Sequence, residues 1–291
     1  MRTIQYIHSV LLAGVLLLAA CAQDKEIGQI EVPGSDYVLP QGGDKAADTQ
    51  ILSLYNTYDS YFLYDFTEKD FNWTLVEESS SYRFEPISPA QVSNLLEVIQ
   101  LTWLDLYEAS FLKRHLPKYI FLADKVQMLV EDWWDSYWED IPARYAANQM
   151  AVGNPGKSAA EMSASEKRSF KNYLQTTFIN YCITAGIVTI PDEFAAVSDY
   201  SADLFWEPDE KARENGFVYN PHTDSEWSTS SWAGLSLSDD IDAYIASLVY
   251  RTEAEWADDL SYPLIKTKYD ILVDALQKAG IDIKRIGNAT Y

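Results

Sequence analysis

The sequence predicts an α+β fold, mainly helical with a small sheet, and two observations carry that reading. Along Glu166–Phe194, apolar or small residues recur at Phe170, Tyr173, Leu174, Thr177, Phe178, Tyr181, Cys182 and Ala185. This is helical spacing over about four turns, with one face built to be buried. Between this and other helical stripes stand short aromatic and β-branched runs: Tyr61–Phe66, Phe71–Glu77, Lys118–Asp124 and Gln149–Val152. They are too short for helices and read as strands, the first two as a possible pair.

The chain divides at the sequence level into residues 1–20, 21–47 and 48–291. Arg2 and the apolar run Val10–Ala20 form a signal peptide, too short and wrongly flanked for a membrane-spanning helix. Leu18-Ala19-Ala20-Cys21 looks like a bacterial lipobox, which implies that Cys21 becomes the acylated N-terminus. The alternative is an ordinary secretory peptide cleaved near Ala22. The polar, acidic Gln23-Asp24-Lys25-Glu26 resembles sequences that accompany export of lipoproteins to the cell surface. Residues 22–47, rich in Gly, Pro and Gln, read as a flexible tether between lipid and domain.

The formal charge is −22, and one unit more negative without residues 1–20, which hold Arg2 and no acid. Such a chain does not bind nucleic acid through its phosphates. With Cys21 acylated, Cys182 has no partner and reads as a small core residue on an apolar helical face.

Within residues 48–291, Asp48 is expected to cap a helix carrying Ile51, Leu52, Tyr55 and Tyr58. Ser88-Pro89-Ala90-Gln91 starts another, running through Leu95, Leu96, Ile99, Trp103, Leu106 and Tyr107. Glu131–Asp140 reads EDWWDSYWED. As a helix it would group Trp133, Trp134, Tyr137 and Trp138 into an aromatic patch. That patch is either a platform for a sugar ring, peptide or partner protein, or a helix covering the sheet. A turn at Asn154-Pro155-Gly156 precedes the central helix, which opens on the capping-box pair Ser163 and Glu166 and stops at Gly186. Tyr219–Leu237, with His222, Trp227 and Trp232, reads as a long functional loop. A helix follows from Ser238, and Asp239, Asp240 and Asp242 in it are either capping residues or a calcium cluster. Glu253–Leu260 and Tyr262–Ala279 close the chain as helices, and Asn288-Ala289-Thr290 reads as a frayed end.

The order of these segments, with Pro117-Lys118, Pro191-Asp192-Glu193-Phe194, Val197-Ser198, Asn215-Gly216-Phe217-Val218 and Gly280-Ile281-Asp282-Ile283, resembles a family of lipoproteins from gut-type Bacteroidota. These are the zinc-binding metallopeptidase lipoproteins often encoded beside starch-utilisation-like (SusCD-like) nutrient importers. The resemblance implies a zincin-like domain whose central helix carries His-Glu-Phe-x-His. Two histidines at i and i+4 share a zinc ion, and the glutamate serves as general base for the bound water. Here Ile179, Asn180, Tyr181, Cys182 and Ile183 lie over that motif, so both histidines are isoleucine and the base is asparagine. The family's third ligand, an acid on the next helix, falls on Ala243 or Tyr244.

A non-catalytic surface lipoprotein is therefore expected, with no catalytic residue, no bound metal and no cofactor. It would be held in the outer membrane through Cys21 and be accessory to a TonB-dependent importer. Its partners would be the transporter and its lid lipoprotein, or a peptide or glycan. The alternatives are a metallopeptidase with a rearranged site built on His115, His222 and acids, or a structural, adhesive surface lipoprotein.

Overall fold

The computed structural model describes residues 37–72, 81–131, 134–202, 204, 209–222 and 236–291. Cys21, Trp133, Trp227 and Trp232 lie outside the described residues. The chain divides into two units, Met1–Val38 and Leu39–Tyr291, and the second is described below. It begins before the Asp48 boundary expected from the sequence. Gln41 explains the difference. Its side-chain carbonyl accepts from the backbone N–H of Tyr64 and Asp65, and its amide donates to the Phe62 carbonyl at 3.0 Å.

Helix α1 spans Lys45–Tyr58, and its cap is Asp44 rather than Asp48. The Asp44 side chain accepts from Ala46 and Ala47. Asp48 sits one turn further in and is buried, accepting from the N–H groups of Gln41 and Gly42 and from the Tyr64 hydroxyl. A capping-type carboxylate thus fastens the incoming chain to the body instead of starting the helix.

Among the described residues the sheet has six strands: β1 (Tyr61–Leu63), β2 (Tyr82–Pro86), β3 (Tyr119–Glu131), β4 (Ser136–Ile141), β5 (Ala143–Ala146) and β6 (Gln149–Gly153). β3 runs well past the Lys118–Asp124 run. Its first half lies between β1 and β6, both parallel to it, and its second half between β2 and β4, both antiparallel. The pairing jumps from Glu85–Lys125 to Pro86–Ala123, so Asp124 is the extra residue of a bulge where the two halves join. Ile120, Leu122, Met150 and Val152 face the helices. On the other face Phe121 meets Phe66, which also packs on Phe84 and Phe71. Phe71 belongs to a short helix α2 (Glu68–Asn72) and not to a strand. Thr67 and Asp70 cap each other's backbone there, which favours the helical turn over an extended run.

The stretch expected as an aromatic helix is instead the outer part of a hairpin. β3 continues to Glu131, and Ser136–Ile141 returns along it with Leu129 opposite Trp138 and Val130 opposite Tyr137. Trp and Tyr favour a pleated surface, and β3 supplies the partner strand that no local spacing reveals. Successive residues of a strand point to opposite faces, so Tyr137 and Trp138 do not share one.

The helical layer contains α3 (Pro89–Thr102), α4 (Ala109–His115), α5 (Ala164–Thr184), α6 (Asp192–Ala195), α7 (Asp209–Glu214), α8 (Leu237–Tyr250), α9 (Pro263–Ala279) and α10 (Ile283–Gly287). α3 stops at Thr102, short of the expected Tyr107, and Leu104–Leu106 forms a separate 3-10 turn. The buried Gln175 of α5 closes that end, donating to the Thr102 carbonyl and accepting from the Tyr107 hydroxyl. The Ser163–Glu166 capping box of α5 is formed, and Gly186 takes the left-handed conformation after it.

Glu253–Leu260 is not a helix but a set of turns ending in a 3-10 turn, Asp259–Ser261. Its acidic side chains form ion pairs instead: the half-exposed Glu255 with Arg168, and the buried Asp259 with Arg251. The chain end is not frayed, since Asn288 exchanges hydrogen bonds with Glu253. Gly287 passes so close to α8 that a Cβ there would lie 2.5 Å from the Arg251 carbonyl oxygen. None of the helices among the described residues is long and apolar enough to cross a membrane.

Candidate functional site

Helix α5 crosses α8 and places the positions singled out by the resemblance at the heart of the domain. Ile179 is fully buried in the main core, and Ile183 packs against that core from its edge. Asn180 is half-buried. Tyr244 of α8 is fully buried, with its ring edge-on to Phe194 at 5.3 Å and its hydroxyl donating to the Gly216 carbonyl at 2.9 Å. Zinc needs nitrogen, sulfur or carboxylate ligands. Two isoleucines offer none, and the tyrosine oxygen is committed to a backbone carbonyl, so these residues do not fit the metal.

The histidines do not compensate. His115, at the end of α4, packs on Phe111. His222 stacks on Tyr173 at 4.5 Å, and its Nδ1 lies 3.1 Å from the Tyr250 hydroxyl. Burial lowers the pKa of both. Among the described residues, no group of three or more His, Cys, Asp or Glu side chains could hold a metal ion. Asp239, Asp240 and Asp242 do not converge either: Asp239 bonds the helix cap Ser236, while Asp240 turns inward to a lysine. Cys182 is fully buried, and burial pushes its thiol far above the usual range, which leaves it inert as a nucleophile.

Of the polar groups that do occupy this region, the sequence pointed to Asp240, as a capping or calcium residue, but not to Lys268 or Tyr200. Lys268 of α9 is completely buried, with its ammonium 2.6 Å from Asp240 Oδ2. The Tyr200 hydroxyl donates to the same oxygen at 2.7 Å. The rings of Phe217, Phe194, Tyr200 and Tyr244 surround the ammonium at 4.6–5.6 Å. Burial pushes the Asp240 carboxyl up and the Lys268 ammonium down, and each partner's charge opposes the other's shift. A cation does stand beside the motif helix's neighbour, but it is a lysine ammonium in an aromatic box.

A second buried lysine, Lys171 of α5, donates to the carbonyls of Val249 at 2.8 Å and Ile286 at 3.0 Å. These lie at the C-terminal ends of α8 and α10, where the dipole favours a cation, and the Ile286 carbonyl also accepts from the Ala289 N–H at 3.3 Å. One signal for both lysines was available. Lys268 shares a stripe with Ile265 and Leu272, and Lys171 one with Leu174 and Phe178.

On the hairpin, Trp134 is 94% exposed and Tyr137 53% exposed, so these two side chains are available to a partner. Trp138 is half-buried, with the Arg83 guanidinium 4.3 Å above its ring. Arg83 also donates to Gln127, which donates to Asp140, forming a polar rung across β2, β3 and β4.

No family model matches this chain. No curated protein matches it either. Among solved structures, the chain is similar to a protein from Bacteroides caccae described as a "putative zinc-binding metallo-peptidase". The two share 13% identity with a TM-score of 0.50, over 86% of this chain and 92% of that one. At that identity the likeness concerns the fold alone: this chain has an α+β, metallopeptidase-like fold.

Proposed function

We propose that this chain is a non-catalytic, lipid-anchored protein of the outer-membrane surface, accessory to a TonB-dependent, SusCD-like nutrient importer. It binds peptide or glycan, or docks on the transporter and its lid lipoprotein. The observation that carries the non-catalytic part is the occupation of the motif helix. Ile179 and Ile183 belong to the packing of the core, and Asn180 has no proton-accepting carboxylate. The lipobox at Cys21 supports the anchor. The exposed Trp134 and Tyr137 support a contact role, because aromatic side chains of this kind anchor interfaces.

Purified protein incubated with zinc and dialysed is expected to retain almost none. About one tightly held zinc per chain would overturn the reading, since structural and catalytic sites each bind the ion stoichiometrically. A second expected result concerns the hairpin. Changing Trp134 and Tyr137 together to alanine should leave thermal stability within about 0.5 kcal/mol, as for exposed residues generally. The same change should weaken recovery of the transporter with the lipoprotein from solubilised membranes. Recovery equal to that of the unaltered protein would remove the hairpin from the interface.

A further inference from the structure

Away from the motif helix, α1 and α3 lie side by side and leave an open groove of about 380 Å³. Its apolar lining is Leu54, Leu96 and Leu101. Leu96 is buried and Leu54 packs against the main core, so this lining is fixed by the fold. The polar lining is dominated by acceptors. The side-chain oxygen of Gln50 has no hydrogen-bond partner, but it is shielded from solvent and lies behind the wall of the groove. Glu97 is exposed and makes no ion pair or hydrogen bond among the described residues. Asp105 is also exposed and accepts from the Gln100 amide through one oxygen. The neighbouring cation, Arg285, donates to the backbone carbonyl of Asp105 at 2.6 Å and not to its carboxylate. The groove therefore combines three leucines with two exposed carboxylates, on a chain of formal charge −22.

We propose that this groove binds the arginine side chain of a peptide, with its aliphatic stem along the leucines and its guanidinium between the Glu97 and Asp105 carboxylates. A long basic side chain is apolar along its stem and cationic at its tip, which matches both parts of the lining. Arginine suits it better than lysine. Its planar head presents five donors in a fixed fork and loses less solvation on burial, whereas an ammonium is a compact, strongly hydrated charge. The volume is at the small end for ligand sites, enough for one side chain and part of the adjoining residue. The inference goes beyond the function proposed above and requires neither the lipid anchor nor any particular state of the motif helix.

The test is calorimetric titration of the full chain with acetyl-Leu-Arg-amide, beside the same dipeptide carrying citrulline, which keeps the shape and removes the charge. The arginine peptide is expected to bind in the millimolar range or tighter. Binding should fall at least about tenfold for citrulline, and likewise for the double variant Glu97→Gln, Asp105→Asn. Raising salt to about 0.5 M should also weaken it, since exposed charges are then screened. Leu54→Trp, which fills the groove, should abolish it. No heat with the arginine peptide up to about 10 mM would overturn the proposal. So would equal binding of the citrulline peptide, or binding that survives both the charge-removing and groove-filling variants. None of these outcomes bears on the zinc content that tests the function proposed above.

Discussion

Lys268→Met is expected to destabilise the folded protein by about 3–5 kcal/mol, the range for removing one member of a buried ion pair. Methionine matches the lysine stem in volume, so little of the loss comes from an empty cavity. The loss is electrostatic. Asp240 Oδ2 would forfeit a partner at 2.6 Å and keep only the Tyr200 hydroxyl, while Oδ1 already has no hydrogen-bond partner. A carboxylate in that position must either stay charged among aromatic rings or take up a proton, and both cost stability. The four rings around the ammonium would also lose their cation. Urea unfolding at unchanged slope is the measurement. The companion variant Lys268→Met, Asp240→Leu removes both charges and should recover most of the loss, because apolar replacements of buried pairs are often neutral or better. A single variant within about 1 kcal/mol of the unaltered protein, the range of a solvent-screened pair, would mean that the ammonium does not sit in the aromatic box.

This pair also shows where sequence reasoning reached and where it stopped. The central helix was legible because its signals are local: the Ser163–Glu166 box, eight apolar or small positions at helical spacing, and Gly186 after the end. The helix from Pro89 and the helix closing at Gly280 were legible for the same reason. The Asp48 cap failed because two acids, Asp44 and Asp48, stand near the same helix start, and tertiary bonds to Gln41, Gly42 and Tyr64 decide which role Asp48 takes. The aromatic stretch failed because β4 exists only by virtue of β3, and strand pairing leaves no periodic mark in a six-residue segment. That Ile179 and Ile183 offer no metal-binding atom could be read from residue identity alone. What took over the neighbouring space could not, since Lys268 and Asp240 are distant in sequence and meet only when α8 and α9 pack.

Lys171 gives the second large effect, and its sign follows from which state holds the proton. Burial lowers its pKa to about 7, with nearby Arg168 adding to the shift and Glu255 opposing it. In the unfolded chain a lysine titrates near 10.4. Between about pH 7 and pH 10 the unfolded state therefore binds more protons, and stability attributable to Lys171 rises with pH. The rise approaches roughly 1.4 kcal/mol per pH unit inside that window, or on the order of 2 kcal/mol between pH 7 and pH 9. Below pH 7 the lysine is protonated in both states, and its contribution is flat and at its least favourable.

Lys171→Met should abolish that slope while leaving the carbonyls of Val249 and Ile286 without their lysine donor. The Ile286 carbonyl keeps the Ala289 N–H at 3.3 Å, so the orphan is the Val249 carbonyl, at a cost of about 1–3 kcal/mol. The variant is therefore expected to be less stable than the unaltered protein by an amount that grows from pH 7 to pH 9. Comparing the two proteins at each pH cancels every group that titrates alike in both. If their difference stays constant across the window, Lys171 keeps its proton throughout. Its two carbonyl partners at the ends of α8 and α10 would then outweigh the loss of solvent around the charge.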